Sequence, residues 1–281
     1  MSAQVFNIGV NLFFIISGFC LGLQGEIKDK ASWYKKRLKR IYIPCWLFLS
    51  VLLLTYGILG IGFNFWNFLT CFMGIQGAKV GVWGADHTWF ITAILLCYLI
   101  TPFVQNKTMR KTRFFLGILP IAFAFVPNPS VHTLLAPVCF YLLAYYMGRK
   151  YQGNNVSLKK AGIALTCIVA SFIIRFGIRI FVDGTIFYER IVASYTQYLA
   201  AFGIFIVFAY IFKNVTAGKI CKSFCGISFE LYLCHYMFVA GPVALMHLTS
   251  NFIVNVLLTT MVVLVVAVIL NKISGIFLKR I

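Results

Sequence analysis

The residues best suited to chemistry in this sequence are histidines and arginines that interrupt long apolar segments. His235 lies in the middle of the apolar segment 226–248. An ionisable group at mid-depth in a membrane is costly and usually faces a cavity or a partner. Glu230 comes five residues earlier, about 140° around a helix, so it does not share the face of His235 and could instead pair with Lys222. His235 is therefore a candidate general base, with a hydrogen-bonded structural histidine as the alternative.

A second histidine, His87, stands with Asp86 and Trp89 at the start of another apolar segment. A tryptophan ring stacks on the face of a sugar, and His and Asp side chains hydrogen-bond to its hydroxyl groups. The three residues predict a saccharide-binding surface. The alternative is an aromatic belt with ordinary surface charges, because tryptophan is enriched where membrane meets water.

Two pairs of arginines have the spacing of neighbours on one helix face. Arg37 and Arg40 lie in the most basic segment of the chain, 25–42, and a guanidinium group forms two parallel hydrogen bonds with a phosphate. Arg175 and Arg179 lie inside an apolar segment, toward its outer end. We interpret the first pair as a phosphate site or an orientation signal. The second pair is either a site for an anionic acceptor, such as a lipid pyrophosphate, or a pair of side chains that reach the interface.

A stripe of small and amide residues marks the first apolar segment. Asn7, Asn11, Gly18 and Gly22 fall close to one face of a helix, next to Ser17. Such a stripe allows another backbone to approach closely and hydrogen-bond to the asparagines. The pattern predicts helix packing.

The elements that position these residues are membrane helices. Of the 281 residues, 61% are hydrophobic and only 11% are charged, against about 25% charged in a soluble domain. This composition excludes a soluble enzyme, a disordered chain and a secreted disulfide scaffold. The apolar runs last about 20 residues, as in helices, whereas a membrane barrel shows alternating strands of about 10. The sequence predicts nine spans, with 64–87 as an interfacial segment: 5–24, 43–63, 88–106, 114–128, 131–148, 161–182, 194–212, 226–248 and 252–271.

The net charge of +19 follows the loops between these spans. Of the 25 basic residues, 21 fall in alternate loops and the C-terminal tail, and only Lys79 and Arg190 fall in the others. The positive-inside rule places the rich side in the cytoplasm, so the charge is an orientation signal and predicts no nucleic-acid partner. Nine spans then put Met1 outside, although residues 1–10 carry neither charge nor signal-peptide features. We therefore expect a further helix before Met1.

Four motifs, in order along the chain, resemble the acyltransferase family 3 membrane O-acyltransferases. The first is Leu12-Phe13-Phe14-Ile15-Ile16-Ser17-Gly18-Phe19, which is similar to the second helix of that family. The second is Arg37-x-x-Arg40 before Ile41-x-x-Pro44, and the third is His87-Thr88-Trp89-Phe90. The fourth is Ser228-Phe229-Glu230-Leu231-Tyr232-Leu233-Cys234-His235. The sequence is identified as a member on these motifs together.

The resemblance implies one integral membrane domain over residues 1–281, all-α, with ten helices in the family and nine here. It implies transfer of an acetyl or other short acyl group from cytoplasmic acyl-CoA to a hydroxyl of an extracytoplasmic, cell-surface saccharide. Arg37 and Arg40 would hold the donor, Ser17 and Gly18 would wall its tunnel, and no cofactor would be tightly bound.

The resemblance also places the catalytic base on a helix before Met1, with His235 and His87 as the fallback candidates within this chain. On that expectation the 281-residue chain is inactive by itself. The alternative function is a non-enzymatic transporter or polysaccharide-export component of the same fold. No metal site is predicted.

Overall fold

The computed structural model describes residues 8–105, 110–151, 156–216 and 218–280, and these are folded as helices and their connections, with no strand in the described ranges. Asn7 of the predicted stripe lies outside them. The helices are α1 (Gly9–Leu23), α2 (Lys30–Leu59), α3 (Phe65–Met73), α4 (Trp89–Val104), α5 (Arg110–Ala124), α6 (Pro129–Lys150), α7 (Leu158–Val182), α8 (Ala193–Ile211), α9 (Lys219–Val239) and α10 (Phe252–Arg280). A 3₁₀ turn, Asp86–Thr88, precedes α4, and a π-helical turn, Phe187–Val192, precedes α8.

The predicted fold class, an all-α polytopic membrane protein, is confirmed. Within the described ranges, six helical segments are long and apolar enough to cross a membrane: Lys30–Leu59, Asp86–Val104, Pro129–Lys150, Leu158–Val182, Phe187–Ile211 and Phe252–Lys279. Two apolar helices are shorter, Gly9–Leu23 and Phe114–Ala124. Each of the nine predicted spans falls on a helix, and α9 is the one outside both groups. In the interfacial segment 64–87 the α-helix is α3, which at nine residues is too short to span.

Local capping signals explain where several helices begin. Asn128 accepts a hydrogen bond from Ser130 N at 2.9 Å, and Pro129 takes the first position of α6, where a missing N–H costs nothing. Asp29 accepts from Ser32 N at 3.1 Å and begins α2. The residues Asn128 and Pro129 thus define the start of α6.

Two predicted boundaries are wrong. The basic loop 25–42 is helical from Lys30 onward, because the Asp29 cap starts α2 well before its apolar part and lysine and arginine are good helix formers. The predicted span 226–248 ends at Val239, because Gly241-Pro242 follows and proline cannot continue a helix. His235 therefore lies one turn from the end of α9 and not at the middle of a span.

The described helices divide into two compact units, the first formed by residues 1–28 and 96–216. In this unit α1 packs on α6 and α8, α7 packs on α8, and α5 packs on α6. Phe140 stacks on Tyr198 with ring centroids 3.8 Å apart. The paired amides of Gln105 and Ile27 tie the segment after α1 to the end of α4, with Ile27 N donating to Gln105 Oε1 at 2.8 Å.

Close contact between α1 and α6 depends on glycine. A Cβ at Gly18 would collide with the Tyr141 carbonyl, and one at Gly22 would collide with the carbonyl of Tyr145 and the backbone of Gly148. Asn11 lies on the same stripe, 8% exposed, and its side-chain amide lies 3.2 Å from that of Gln197. The described part of the stripe therefore packs helices, as its spacing predicts.

Gly22→Ala is expected to lower the stability of the protein by about 1–3 kcal/mol, because the added methyl meets backbone that cannot rotate away. Gly177→Ala in α7 is the control. Its Cβ meets nothing within 4 Å, so the same change should stabilise by about 0.5–1 kcal/mol. Equilibrium unfolding in detergent measures both, and a Gly22→Ala protein as stable as wild type would contradict the close contact.

The second unit is formed by residues 29–95 and 217–281. Here α2 packs on α3, α9 and α10, and α9 packs on α10. Glu230 of α9 is buried, 5% exposed, and accepts a hydrogen bond from Asn271 Nδ2 of α10 at 3.0 Å. The predicted partner of Glu230 was Lys222, and the structure gives it this neutral amide because α10 covers that face of α9.

Candidate active site

Two histidines that are 148 residues apart in sequence meet in the second unit. The ring centroids of His87 and His235 lie 4.9 Å apart. Tyr232 and Tyr236 of α9 flank His87 at 5.0 and 5.3 Å, and Phe48 of α2 lies at 6.4 Å. The end of α9 and the start of α4 thus form an aromatic enclosure around an imidazole pair, which we call the histidine pair.

The turn that carries His87 is held by hydrogen bonds to its backbone. Gln76, which is 2% exposed, donates from Nε2 to the Thr88 carbonyl at 2.6 Å. The Thr92 hydroxyl lies 2.9 Å from the carbonyls of both Gly74 and Gln76. The Tyr232 hydroxyl donates to the carbonyl of His87 at 2.5 Å, so α9 itself fixes the turn.

The segment just before this turn is anchored to the residues after α9. Trp83 Nε1 donates to the Ala240 carbonyl at 2.6 Å, and the Tyr56 hydroxyl donates to the Trp83 carbonyl at 2.9 Å. Gly84 has φ +91°, and a Cβ there would meet Pro242. Only glycine suits this combination of left-handed backbone and close approach. The position of His87 relative to α9 is therefore fixed both by the Tyr232 hydroxyl and by the contacts of Trp83 and Gly84 with the residues after α9.

His235 has one ring nitrogen engaged. Its Nδ1 lies 2.6 Å from the carbonyl oxygen of Tyr232. A carbonyl only accepts, so this contact places the imidazole proton on Nδ1 and leaves the lone pair on Nε2. The ring is half-buried, on the last full turn of α9. In this tautomer Nε2 of His235 is set up to accept a proton.

His87 is more enclosed than its neighbour. Both its ring nitrogens are shielded from solvent, and neither has a well-aligned hydrogen-bond partner in the described ranges, although the ring lies beside the backbone carbonyls of Tyr232 and Leu233. A buried polar atom without a bonded partner is rare in a folded protein and calls for a specific reason. The ring nitrogens of His87 are therefore polar atoms that face the interior of the enclosure.

Asp86 and Trp89, which the sequence predicts to act with His87, lie on either side of it in the chain. Trp89 is half-buried at the first position of α4. Asp86 is half-buried in the 3₁₀ turn and accepts from the Gly81 backbone. A saccharide surface formed by His87 and Trp89 stays a prediction.

Arg37 and Arg40 lie three residues apart on α2, so their side chains emerge from one face of the helix. Arg40 is exposed, and the Arg37 guanidinium lies 5.7 Å from the centre of the Trp33 ring. Helical spacing therefore brings the two arginines close enough to converge on one phosphate or pyrophosphate.

The remaining predicted site residues belong to the first unit. Gly18 is covered by Tyr141 of α6, while Ser17 beside it is half-buried. Arg175 is 6% exposed, and its guanidinium lies 3.0 and 3.1 Å from the Gln197 side-chain oxygen, with that amide turned to face it. Arg179 forms a 3.3 Å ion pair with Asp183. Each arginine thus has its own partner within the unit, and an anionic acceptor between them stays a prediction.

Sequence reasoning missed the glutamines that hold these clusters. Gln76 fixes the turn of His87, and Gln197 lies between Arg175 and Asn11, with its side-chain oxygen toward Arg175. Gln197 carried a usable signal, because a polar amide within a predicted span needs a partner there. Gln76 carried none, since it lies in a loop. No group of three or more His, Cys, Asp or Glu side chains in the described ranges is arranged to hold a metal ion.

The sequence was compared with family models, curated proteins and solved structures, and the family comparison gave a match. No curated protein and no solved structure matches the chain. The acyltransferase family 3 model, described as an acyltransferase domain, matches residues 1–272, which is nearly the whole sequence. The protein therefore belongs to acyltransferase family 3 and is a membrane acyltransferase.

Proposed function

We propose that this protein transfers an acetyl or other short acyl group from cytoplasmic acyl-CoA to a hydroxyl group of an extracytoplasmic saccharide. The observation that carries the proposal is the histidine pair, in which the Nε2 lone pair of His235 is available beside the buried ring of His87. Family membership supports the reaction class, acyl transfer. The histidine pair supplies a base for the proton of the acceptor hydroxyl.

The chemistry needs a base because a sugar hydroxyl is a weak nucleophile. Nε2 of His235 takes the hydroxyl proton as the oxygen attacks the thioester carbonyl carbon. The carbon–sulfur bond then breaks, the CoA thiolate leaves, and the imidazolium returns the proton to it. General base catalysis of this kind contributes about 10²–10⁴-fold. His87 is a positioning residue, packed against the ring of His235.

The spacing along α2 supports a donor with a long arm. Phe48 contacts His87 and lies eleven residues after Arg37, which is about 16 Å along a helix. A molecule whose phosphates bind Arg37 and Arg40 must extend that far to deliver its acyl group to the histidine pair. The pantetheine arm of CoA is a linear linker between phosphates and a thioester, and it suits this separation.

The proposed orientation follows from the charges. With the 21 basic residues on the cytoplasmic side, Arg37 and Arg40 face the compartment that contains acyl-CoA. The histidine pair then lies toward the opposite face, with the saccharide or lipid-linked saccharide acceptor approaching near Trp89. We place the protein in the cell membrane, with the C-terminus of α10 in the cytoplasm.

Reconstitution in sealed vesicles tests the proposal. Radiolabelled acetyl-CoA is supplied outside to vesicles sorted for an outward Arg37 face, and a panel of polysaccharides and lipid-linked sugars is enclosed within. We expect label on an enclosed saccharide and one free CoA thiol outside for each acyl group transferred. Movement of unmodified saccharide with no thiol release would contradict the enzyme and favour an export component.

A further inference from the structure

The first unit contains an apolar groove that the acyl-transfer proposal does not use. It has a volume of about 620 Å³ and lies among α1, α6, α7 and α8. Two small residues, Gly203 of α8 and Ala164 of α7, are part of its lining. The two helices are closely packed there, because a Cβ at Gly203 would meet Ile168 and the carbonyl of Ala164. The close packing of α7 on α8 leaves room above it for a ligand.

One wall of the groove is built from aromatic rings that already contact each other. Phe19 lies edge-to-face with Phe205 at 4.8 Å and with Tyr151 at 5.5 Å. These contacts fix the rings in place, so the wall is formed before any ligand enters. Most of the remaining lining is apolar and includes Ile163, Leu199 and Ile206. Such a surface suits a hydrocarbon chain.

The polar end of the groove carries positive charge. Lys150, at the end of α6, and Lys160, in the first turn of α7, both line it, and both are exposed. Among the described residues that line the groove, none is acidic. Basic pockets between helices at the cytoplasmic end of membrane proteins bind the head groups of anionic lipids. An apolar groove closed at one end by two lysines has the charge and shape of that ligand.

We propose that this groove is a binding site for one anionic phospholipid, with an acyl chain along the aromatic wall and the phosphate group between Lys150 and Lys160. Burial of the chain supplies affinity that grows with each methylene group. The two ammonium groups supply the preference for a net negative head group over a zwitterionic one. The site is separate from the histidine pair and does not depend on acyl transfer.

The test uses the full chain, purified in detergent, with retained lipid counted by native mass spectrometry. Phosphatidylglycerol and phosphatidylcholine with identical acyl chains are titrated separately. We expect one tightly held phosphatidylglycerol. Lys150→Gln with Lys160→Gln should weaken it by about fivefold per lysine, or roughly thirtyfold for the pair, and leave phosphatidylcholine unchanged.

Matched controls separate the groove from general charge and surface effects. Lys219→Gln with Lys222→Gln removes the same charge from exposed positions on α9 and should change nothing. Ile163→Trp fills the groove and should expel both lipids, whereas Val169→Trp, equally exposed on α7 but outside the groove, should not.

Three results would overturn the proposal. One is an equal loss in both lysine pairs, and another is undiminished retention in Ile163→Trp. The third is displacement of the lipid by palmitoyl-CoA at equimolar concentration, which would assign the groove to a long-chain donor. Inorganic phosphate at millimolar concentration should not compete, because it lacks the chain.

Discussion

His235→Gln is expected to lower the rate of acyl transfer by about 10²–10⁴-fold while leaving the protein folded. Glutamine is a neutral polar side chain of similar size, and it has no basic nitrogen to replace Nε2. The loss should appear in kcat and not in the KM for acyl-CoA, since the side chain acts on the hydroxyl proton. Thiol release from acetyl-CoA in the presence of acceptor measures both constants.

Two comparisons make this result specific to the histidine pair. His247→Gln changes an exposed histidine of the same unit and should keep the full rate. Tyr232→Phe removes the hydroxyl that holds the His87 carbonyl, and it should cost less than His235→Gln because it loosens the turn without removing a base. A His235→Gln enzyme with an unchanged rate would mean that the base lies elsewhere, as the family resemblance predicts.

The membrane helices could be predicted because their signals are local. A run of apolar residues is enough to predict a span, and Asn128 with Pro129 is enough to predict where α6 begins. Gly18 and Gly22 predicted a close helix contact because their spacing places them on one face, although the partner helix could not be named. Composition and spacing carry this information within one helical segment.

The site depends on contacts that no local pattern contains. The apolar residues after Val239 gave no sign that α9 ends there, so the sequence predicts His235 at mid-depth of a longer span. Because of that error, the contact between His235 and His87 was not predicted. This contact requires the end of α9 to lie beside the start of α4. Lys222 was a possible partner of Glu230 by spacing along one helix, whereas the observed partner Asn271 is 41 residues away on α10.

Replacing Arg37 and Arg40 by alanine is expected to weaken acyl-CoA binding by ten- to a hundredfold for each arginine. Hydrogen bonds to a charged phosphate contribute about 1.5–3 kcal/mol each, and both side chains emerge from one face of α2. The loss should appear in the KM for acyl-CoA, with a smaller change in kcat, because Phe48, which contacts His87, lies about 16 Å further along α2 than Arg37. Binding of desulfo-CoA, which cannot carry an acyl group, measures the donor site directly.

The charge of these arginines also orients the chain, so the decisive variant keeps the charge. Arg37→Lys with Arg40→Lys preserves the positive-inside signal but loses the planar fork that binds two phosphate oxygens at once. A donor site therefore predicts weakened binding in this variant with unchanged membrane insertion. Lys35→Ala with Lys39→Ala removes two charges from the opposite face of α2 and should leave binding intact. Two results would contradict the donor site: an equal loss of acyl-CoA binding in the two alanine pairs, or full binding in the lysine variant. Arg37 and Arg40 would then be orientation signals alone, and the phosphates of the donor would need another partner.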